Sequence, residues 1–295
     1  MPSNQPIHQF RIPHLQRNGL LNTGNICCHI SIVLCFHRLG LLRNLEDDLI
    51  AANSNVLDWP AFLMRRILQA LPSREAFSIQ NFCTAWNSDG RAPQLQAWDD
   101  ICVVEDITTQ LPFRGLNNVP AFTRFILRYT CPTCGFIEND CNERLFSTVP
   151  TLTLLPESVA ITAERLLRDY LKTPVQTRCS NSDCRHAVIA SWRIQPGRTT
   201  VLFIARNMPD HGIVRTRIIP RDPSWQAPGI LGELVSVVSR SGENAQRGHY
   251  LSYHQVGGRW FKNDDANPLA EVNHHPFNFC HLGEDVVLLC YLNNV

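Results

Sequence analysis

The chain has 295 residues, 44% of them hydrophobic, enough for a substantial core in one large domain or two small ones. Charged residues make up 18% and the formal net charge is +1, so the strong basic bias of a general nucleic-acid binder is absent. No run of about 18 apolar residues is present, and no apolar run of about 7–15 residues stands near the start, so neither a membrane span nor a secretory signal is expected. The twelve cysteines are therefore expected in a reducing compartment, cytoplasm or nucleus, where clustered thiols point to metal or catalysis before disulfides.

Residues 1–18 read as a polar, proline-punctuated lead-in. From Cys27 to Leu42 the apolar positions Ile30, Val33, Leu34 and Leu41 share one helical face, and Gly40 lies near its end. Helical patterns recur in DWPAFLMRRILQAL (58–71), with Pro60 near its start, and in QLQAWDDICVVEDITTQL (94–111), which stops before Pro112. The character then changes. AFTRFILRYTC (121–131) predicts a strand and SVAITAERLLRDYLK (158–172) a short helix. AVIASWRI (187–194), TTVLFIAR (199–206), LGELVSVVSR (231–240), HYLSYHQV (249–256) and DVVLLCYL (285–292) predict strands separated by turn residues. Helices first and a mostly antiparallel sheet afterwards predict an α+β fold.

GLLNTGNICCHIS (19–31) sets Cys27 at the start of the first helix. Unpaired backbone N–H groups and the positive end of the dipole favour a thiolate there, which is the nucleophilic form. Gly24 suits the tight turn into the helix. Asn22 stands five residues earlier, where its amide can face the oxygen of a carbonyl under attack. The competing reading makes Cys27 and Cys28 buried small hydrophobes; for Cys28 it is the reading kept.

RGHYLSYHQVGGRWFKNDDANP (247–268) sets His249 at the start of a strand that turns at Gly257–Gly258. A hairpin returns its second strand beside the start of the first, which brings Asp264 or Asp265 near His249. A carboxylate there holds the imidazole in one tautomer and stabilises its charged form. Against this, the chain has eleven histidines, and Asp-Asp before Asn-Pro is also an ordinary turn. A cysteine and a histidine distant in sequence and joined by folding is the cysteine-peptidase arrangement.

Cys131 and Cys134 form a C-x2-C pair, and Cys179 and Cys184 a C-x4-C pair, with 44 residues between them. Two such pairs can close a tetrahedral structural zinc site that staples a β-extension without a deep core. Cys141 and His186 lie nearby and fit the spacing less well.

GLLNTGNIC resembles the cysteine box of the ubiquitin-specific proteases, Gly-Leu-x-Asn-x-Gly-Asn-Thr-Cys. GHYLSYHQVGGRWFKNDD resembles their histidine box, LVSVVSRSG the strand before it with Arg240 in place of histidine, and VVLLCYL their last strand. The similarity runs from about residue 19 to the end. It implies a papain-like fold: a helical thumb (about 19–115), zinc-bearing fingers (about 116–200) and a β palm (about 200–295). It implies Cys27 as nucleophile, His249 as general base, Asp264 as orienting residue and Asn22 as oxyanion donor. Asp265 is then a second polarising group or the alternative orienter. The implied reaction is cleavage of an amide or isopeptide bond after the Gly-Gly end of ubiquitin, through a thioester. The implied partners are ubiquitin or a ubiquitin-like modifier and its conjugates, bound by a monomer or by one domain of a larger protein, with no nucleic acid or membrane. The two cysteine pairs match those carried in the fingers of many members, giving one structural zinc and no catalytic cofactor.

Departures from the family pattern sit at Ile26, Cys28 and Ile30, around the nucleophile, and in PQLQAWDDICVV. There Gln96 stands where the family has an aspartate, Asp99 where it has a glutamate, and Asp100 replaces an aromatic. In the family those carboxylates bind ubiquitin's basic tail. Losing one removes a charge-assisted bond of about 1.5–3 kcal/mol, unless Asp99 and Asp100 compensate. The alternatives are therefore an isopeptidase for another modifier such as SUMO, or a non-catalytic modifier-binding module.

Overall fold

A computed structural model describes residues 20–21, 27–39, 77–78, 120–138, 146–147, 149–154, 160–208, 212–213, 216–219, 231–244, 247–264, 270–272 and 284–294. β1 (Leu20–Leu21) precedes helix α1 (Cys27–Arg38) and pairs in parallel with β2 (Phe77–Ser78). β3 (Arg124–Arg128), β4 (Phe146–Ser147), β5 (Thr151–Thr153) and β6 (Ala160–Thr162) lead to helix α2 (Ala163–Lys172). β7 (Val175–Arg178), β8 (Ala187–Gln195), β9 (Thr199–Ala205), β10 (Asn207–Met208), β11 (Gly212–Ile213) and β12 (Arg217–Ile219) follow. The last strands are β13 (Glu233–Asn244), β14 (Arg247–Val256), β15 (Arg259–Asn263), β16 (Ala270–Val272) and β17 (Glu284–Leu292).

The larger sheet runs β16-β15-β14-β13-β17-β9-β5, antiparallel except where β5 lies parallel to β9. Alternation along the strands divides its two faces. Val237, Leu251, Tyr253 and Leu289 join Leu166 and Leu167 of α2 in the main core. On the other face α1 packs across β13 and β14. Ile32, Leu34, Cys35 and Phe36 are all buried, as a helix that is apolar nearly all round requires. Beneath it the Cys35 thiol donates to Ser236 Oγ at 2.9 Å and lies 3.4 Å from Cys290 Sγ, while Ser236 Oγ meets His254 Nδ1 at 2.7 Å. Burial, and then the neighbouring Cys35, push the Cys290 thiol well above its ordinary range.

The helix ends at Arg38, short of the expected Leu42, with Gly40 just beyond it; a helical glycine costs about 1 kcal/mol. The expected helix over 158–172 is likewise shorter. Ala160–Thr162 pairs as β6 with β12, and α2 begins at Ala163. Thr162 caps it by accepting from the Arg165 amide at 3.2 Å, with Glu164 in the first turn and Lys172 in the last. The expected strands over 187–194, 199–206, 231–240, 249–256 and 285–292 form, and that over 121–131 is confined to Arg124–Arg128. The helical patterns over 58–71 and 94–111 lie outside the described residues. Among those described, no helix is long and apolar enough to cross a membrane.

The smaller sheet, β4-β3-β8-β7, is antiparallel throughout. Its inner face leans on α2, where the Tyr170 ring stacks on Trp192 at 5.0 Å and meets Phe125 edge-on at 6.5 Å. One buried side chain ties the two sheets. Asn293 Nδ2 donates to Gly197 O and Thr200 Oγ1, each at 2.8 Å, and its Oδ1 accepts from the Gly232 amide at 3.1 Å. Asn293→Ala removes these bonds and leaves their partners buried. It is expected to destabilise the protein by about 2–3 kcal/mol, read as a lower urea midpoint at unchanged m-value.

Candidate functional site

The β14–β15 hairpin turns on Gly257 (φ +56°) and Gly258 (φ +79°), which join Val256 to its partner Arg259. A two-residue turn with both φ positive matches the twist of the flanking strands and favours glycine. Counting back through the pairs Gln255–Trp260, Tyr253–Lys262 and Ser252–Asn263 brings Asp264 alongside the first half of β14. His249 Nε2 lies 2.6 Å from Asp264 Oδ1, and each side chain keeps a little over a third of its surface exposed, 37% and 38%. The pair is thus held on a rigid hairpin and open to a ligand.

Two features fix His249 from the other side. The β13–β14 register slips between Ser241 and Asn244, next to the Ser241–His249 pair, a bulge of the kind that re-aims a side chain. Gly248 lies against Arg240, where a Cβ would come within 2.4 Å of the guanidinium. Arg240 itself is buried, 5.9 Å from the Tyr250 ring centroid. The Arg240 guanidinium is thus accommodated by the missing side chain at position 248.

Cys27 is the first residue of α1 and is buried. Because α1 packs on β14, the candidate nucleophile and His249 stand on two elements in direct contact. Asn22, Gln96, Asp99, Asp100 and Asp265 lie outside the described residues.

The four cysteines gather at the far end of the smaller sheet. Their sulfurs all lie within 4.8 Å of one another, with Cys131–Cys184 and Cys134–Cys179 both at 3.7 Å. A tetrahedral zinc with Zn–S bonds of about 2.3 Å sets its sulfurs about 3.8 Å apart, so the group fits. The two loops have matching architecture despite their different lengths. Cys131 N donates to Phe136 O and Cys179 N to His186 O, both at 2.8 Å. The residue after each pair, Gly135 or Arg185, takes positive φ, +70° and +47°. His186 contributes its carbonyl to this loop and is not among the clustered ligand groups, and Cys141 lies outside the described residues. Tyr129 joins the loops: its hydroxyl accepts from the Ser180 amide at 2.6 Å and donates to buried Glu138 at 2.9 Å.

Even without a metal the loop amides favour the Cys131 thiolate. The Cys134 amide, and then the Thr133 amide and the neighbouring thiols, draw Cys131 down to about 6 against the effect of burial. Burial and the adjacent thiols push Cys179 up to about 11. Cys184 is also raised: the His186 amide pulls it down, but burial and the Cys131 charge outweigh that. A cation at the centre would favour all four thiolates.

No protein-family model and no curated protein matches this chain. Solved structures do. The SAGA DUB module of Ubp8, Sgf11, Sus1 and Sgf73 bound to monoubiquitin aligns with a TM-score of 0.59 at 17% identity, over 96% of this chain and 70% of that one. The yeast SAGA DUB module with an Sgf73 mutant gives 0.59 at 16% identity over 96% and 69%. The same module bound to ubiquitin aldehyde gives 0.58 at 17% identity over 96% and 70%. At such identity the likeness is one of fold. The chain has the α+β, papain-like fold of the ubiquitin-specific protease type, with four cysteines clustered as in a zinc ribbon.

Proposed function

We propose that the protein is a thiol-dependent deubiquitinase that hydrolyses the peptide or isopeptide bond after the C-terminal Gly-Gly of ubiquitin. The observation that carries this reading is the 2.6 Å contact between His249 and Asp264 on a strand packed against the helix that begins with Cys27. Its fold-mates in ubiquitin-bound modules support ubiquitin as the ligand.

In this reading Asp264 engages Nε2 and leaves Nδ1 as the nitrogen that exchanges a proton with Cys27. The thiolate, favoured at the helix N-terminus, attacks the carbonyl carbon. The Asn22 amide stabilises the oxyanion, and Asp265 adds to the polarisation of the site. His249 delivers its proton to the leaving amine. It then takes one from the water that cleaves the thioester. Gln96, Asp99 and Asp100 face the modifier's tail. Cys131, Cys134, Cys179 and Cys184 hold a zinc ion whose contribution is structural, and no catalytic cofactor takes part. The cellular setting consistent with reduced thiols is cytoplasm or nucleus.

Turnover of a fluorogenic ubiquitin substrate tests this directly, and a protein with intact fold and no turnover sinks it. Asp264→Ala is expected to lower kcat about 10²–10⁴-fold while the melting temperature holds. The glutamine at position 96 favours a second reading, in which another modifier is the preferred substrate. Electrophilic probes bearing ubiquitin, NEDD8, ISG and SUMO tails separate the two, since labelling by the ubiquitin probe alone excludes the second.

A further inference from the structure

The smaller sheet has one face covered by α2 and one that no described element covers. On β8, Val188 and Ala190 point inward, while Ala187, Ile189, Ser191, Arg193 and Gln195 point out. Register places Arg124, Ile126 and Arg128 of β3 on the same outer face, opposite Gln195, Arg193 and Ser191. Gln176 and Arg178 of β7 pair with Ile189 and Ala187 and share it too. Thr130, two residues past Arg128, bridges Ile137 and brings it to this face.

Two independent properties coincide here. Ile137 and Ile189 are the large hydrophobics that stand exposed among the described residues, at 55% and 70%, and both lie on this face. Strands β3, β7 and β8 also give the face four arginines and no carboxylate. Apolar side chains surrounded by guanidinium groups have the composition of a protein-interface centre, where arginine is enriched and lysine depleted.

We infer that this face docks a partner protein presenting an acidic strip around an apolar side chain. The apolar group would seat against Ile137 and Ile189, and carboxylates would pair with the forked guanidinium groups beside them. Other occupants fit less well. A formal net charge of +1 does not favour a nucleic acid. This face belongs to a sheet and is not the amphipathic helix that lies in a lipid interface. A modifier's basic tail would meet like charge. The inference uses neither Cys27 nor His249 and stands apart from the proposed chemistry.

The test uses the full zinc-loaded chain and labelled probes: an acidic peptide, Glu-Glu-Leu-Asp-Glu-Leu-Glu-Glu; an oligothymidine; and vesicles of phosphatidylserine and phosphatidylcholine. The peptide is expected to bind more tightly than the oligothymidine or the vesicles and to weaken with salt. The double variant Arg178→Glu, Arg193→Glu is expected to lose about tenfold or more in affinity for it, and Ile189→Ser severalfold, with zinc content and turnover unchanged. Equal peptide binding by the charge-reversed protein, tighter binding of the oligothymidine or the vesicles, or displacement of the peptide by free ubiquitin would each overturn the inference. If the double variant loses zinc, the single variant Arg193→Gln, on the mid-strand of the sheet, decides the matter by the same peptide titration.

Discussion

Cys27→Ala is expected to abolish turnover of a ubiquitin substrate, with a loss on the scale of about 10⁶ in kcat that removal of a covalent nucleophile brings. The whole barrier reduction of the covalent route depends on one sulfur atom, and alanine offers nothing in its place. The fold should tolerate the change, because the site is a helix start and alanine is the best helix former. Thermal melting and zinc content are therefore expected to stay near those of the parent. Cys28→Ala provides the contrast. It stands beside Cys27 in the same helix and should leave labelling by an electrophilic ubiquitin probe intact. Labelling that survives Cys27→Ala, or is lost with Cys28→Ala in a folded protein, would transfer or remove the nucleophile's role.

Stripping zinc is expected to have the second largest effect, on structure. Among the described residues, the outer end of the smaller sheet has a core of Tyr129, Cys131, Cys179, Val188 and Ala190, with a few partly buried neighbours. Two of those five, Cys131 and Cys179, are among the four proposed ligands, so the metal and this core overlap. Structural zinc contributes about 10–16 kcal/mol of apparent binding free energy in small zinc-dependent folds. Chelation should therefore open residues 127–138 and 175–190 to rapid amide exchange. The main core around Tyr253, Leu289 and Leu202 is built without these cysteines and should keep its protection. Cys131→Ser should mimic chelation. Exchange that is unchanged after metal removal would rule out the structural role.

The parts of this site that were legible in the sequence are local. The Gly257–Gly258 turn sets a register, and the register alone brings an acidic residue to His249, fifteen positions away. Cysteine spacing behaves similarly: two short loops with thiols at their ends announce a cluster, although the 3.7 Å separations depend on how β3 and β8 align. The α+β class followed from the order of helical and alternating patterns. What the sequence concealed depends on long-range choices. Ala160–Thr162 continues smoothly into the apolar pattern of α2, and its pairing with β12, more than fifty residues later, makes it a strand. The Arg240–Gly248 packing and the bulge beside His249 are likewise properties of two strands together. The exposure of Ile189 could not be read from a run of apolar letters, because only α2's position decides which face of β8 is covered.

The layout of the larger sheet also bears on how the protein matures. β14, which carries His249, is flanked by β13 and β15, and β13 in turn waits for β17, contributed by residues 284–292. The imidazole and its carboxylate belong to one hairpin and can meet within microseconds, whereas α1 needs the β13–β14 surface to rest on. During synthesis α1 emerges well before β13 and β14 and stays without its platform until they too have left the ribosome. A nascent chain that stops short of β14 thus carries Cys27 without the strand that bears His249.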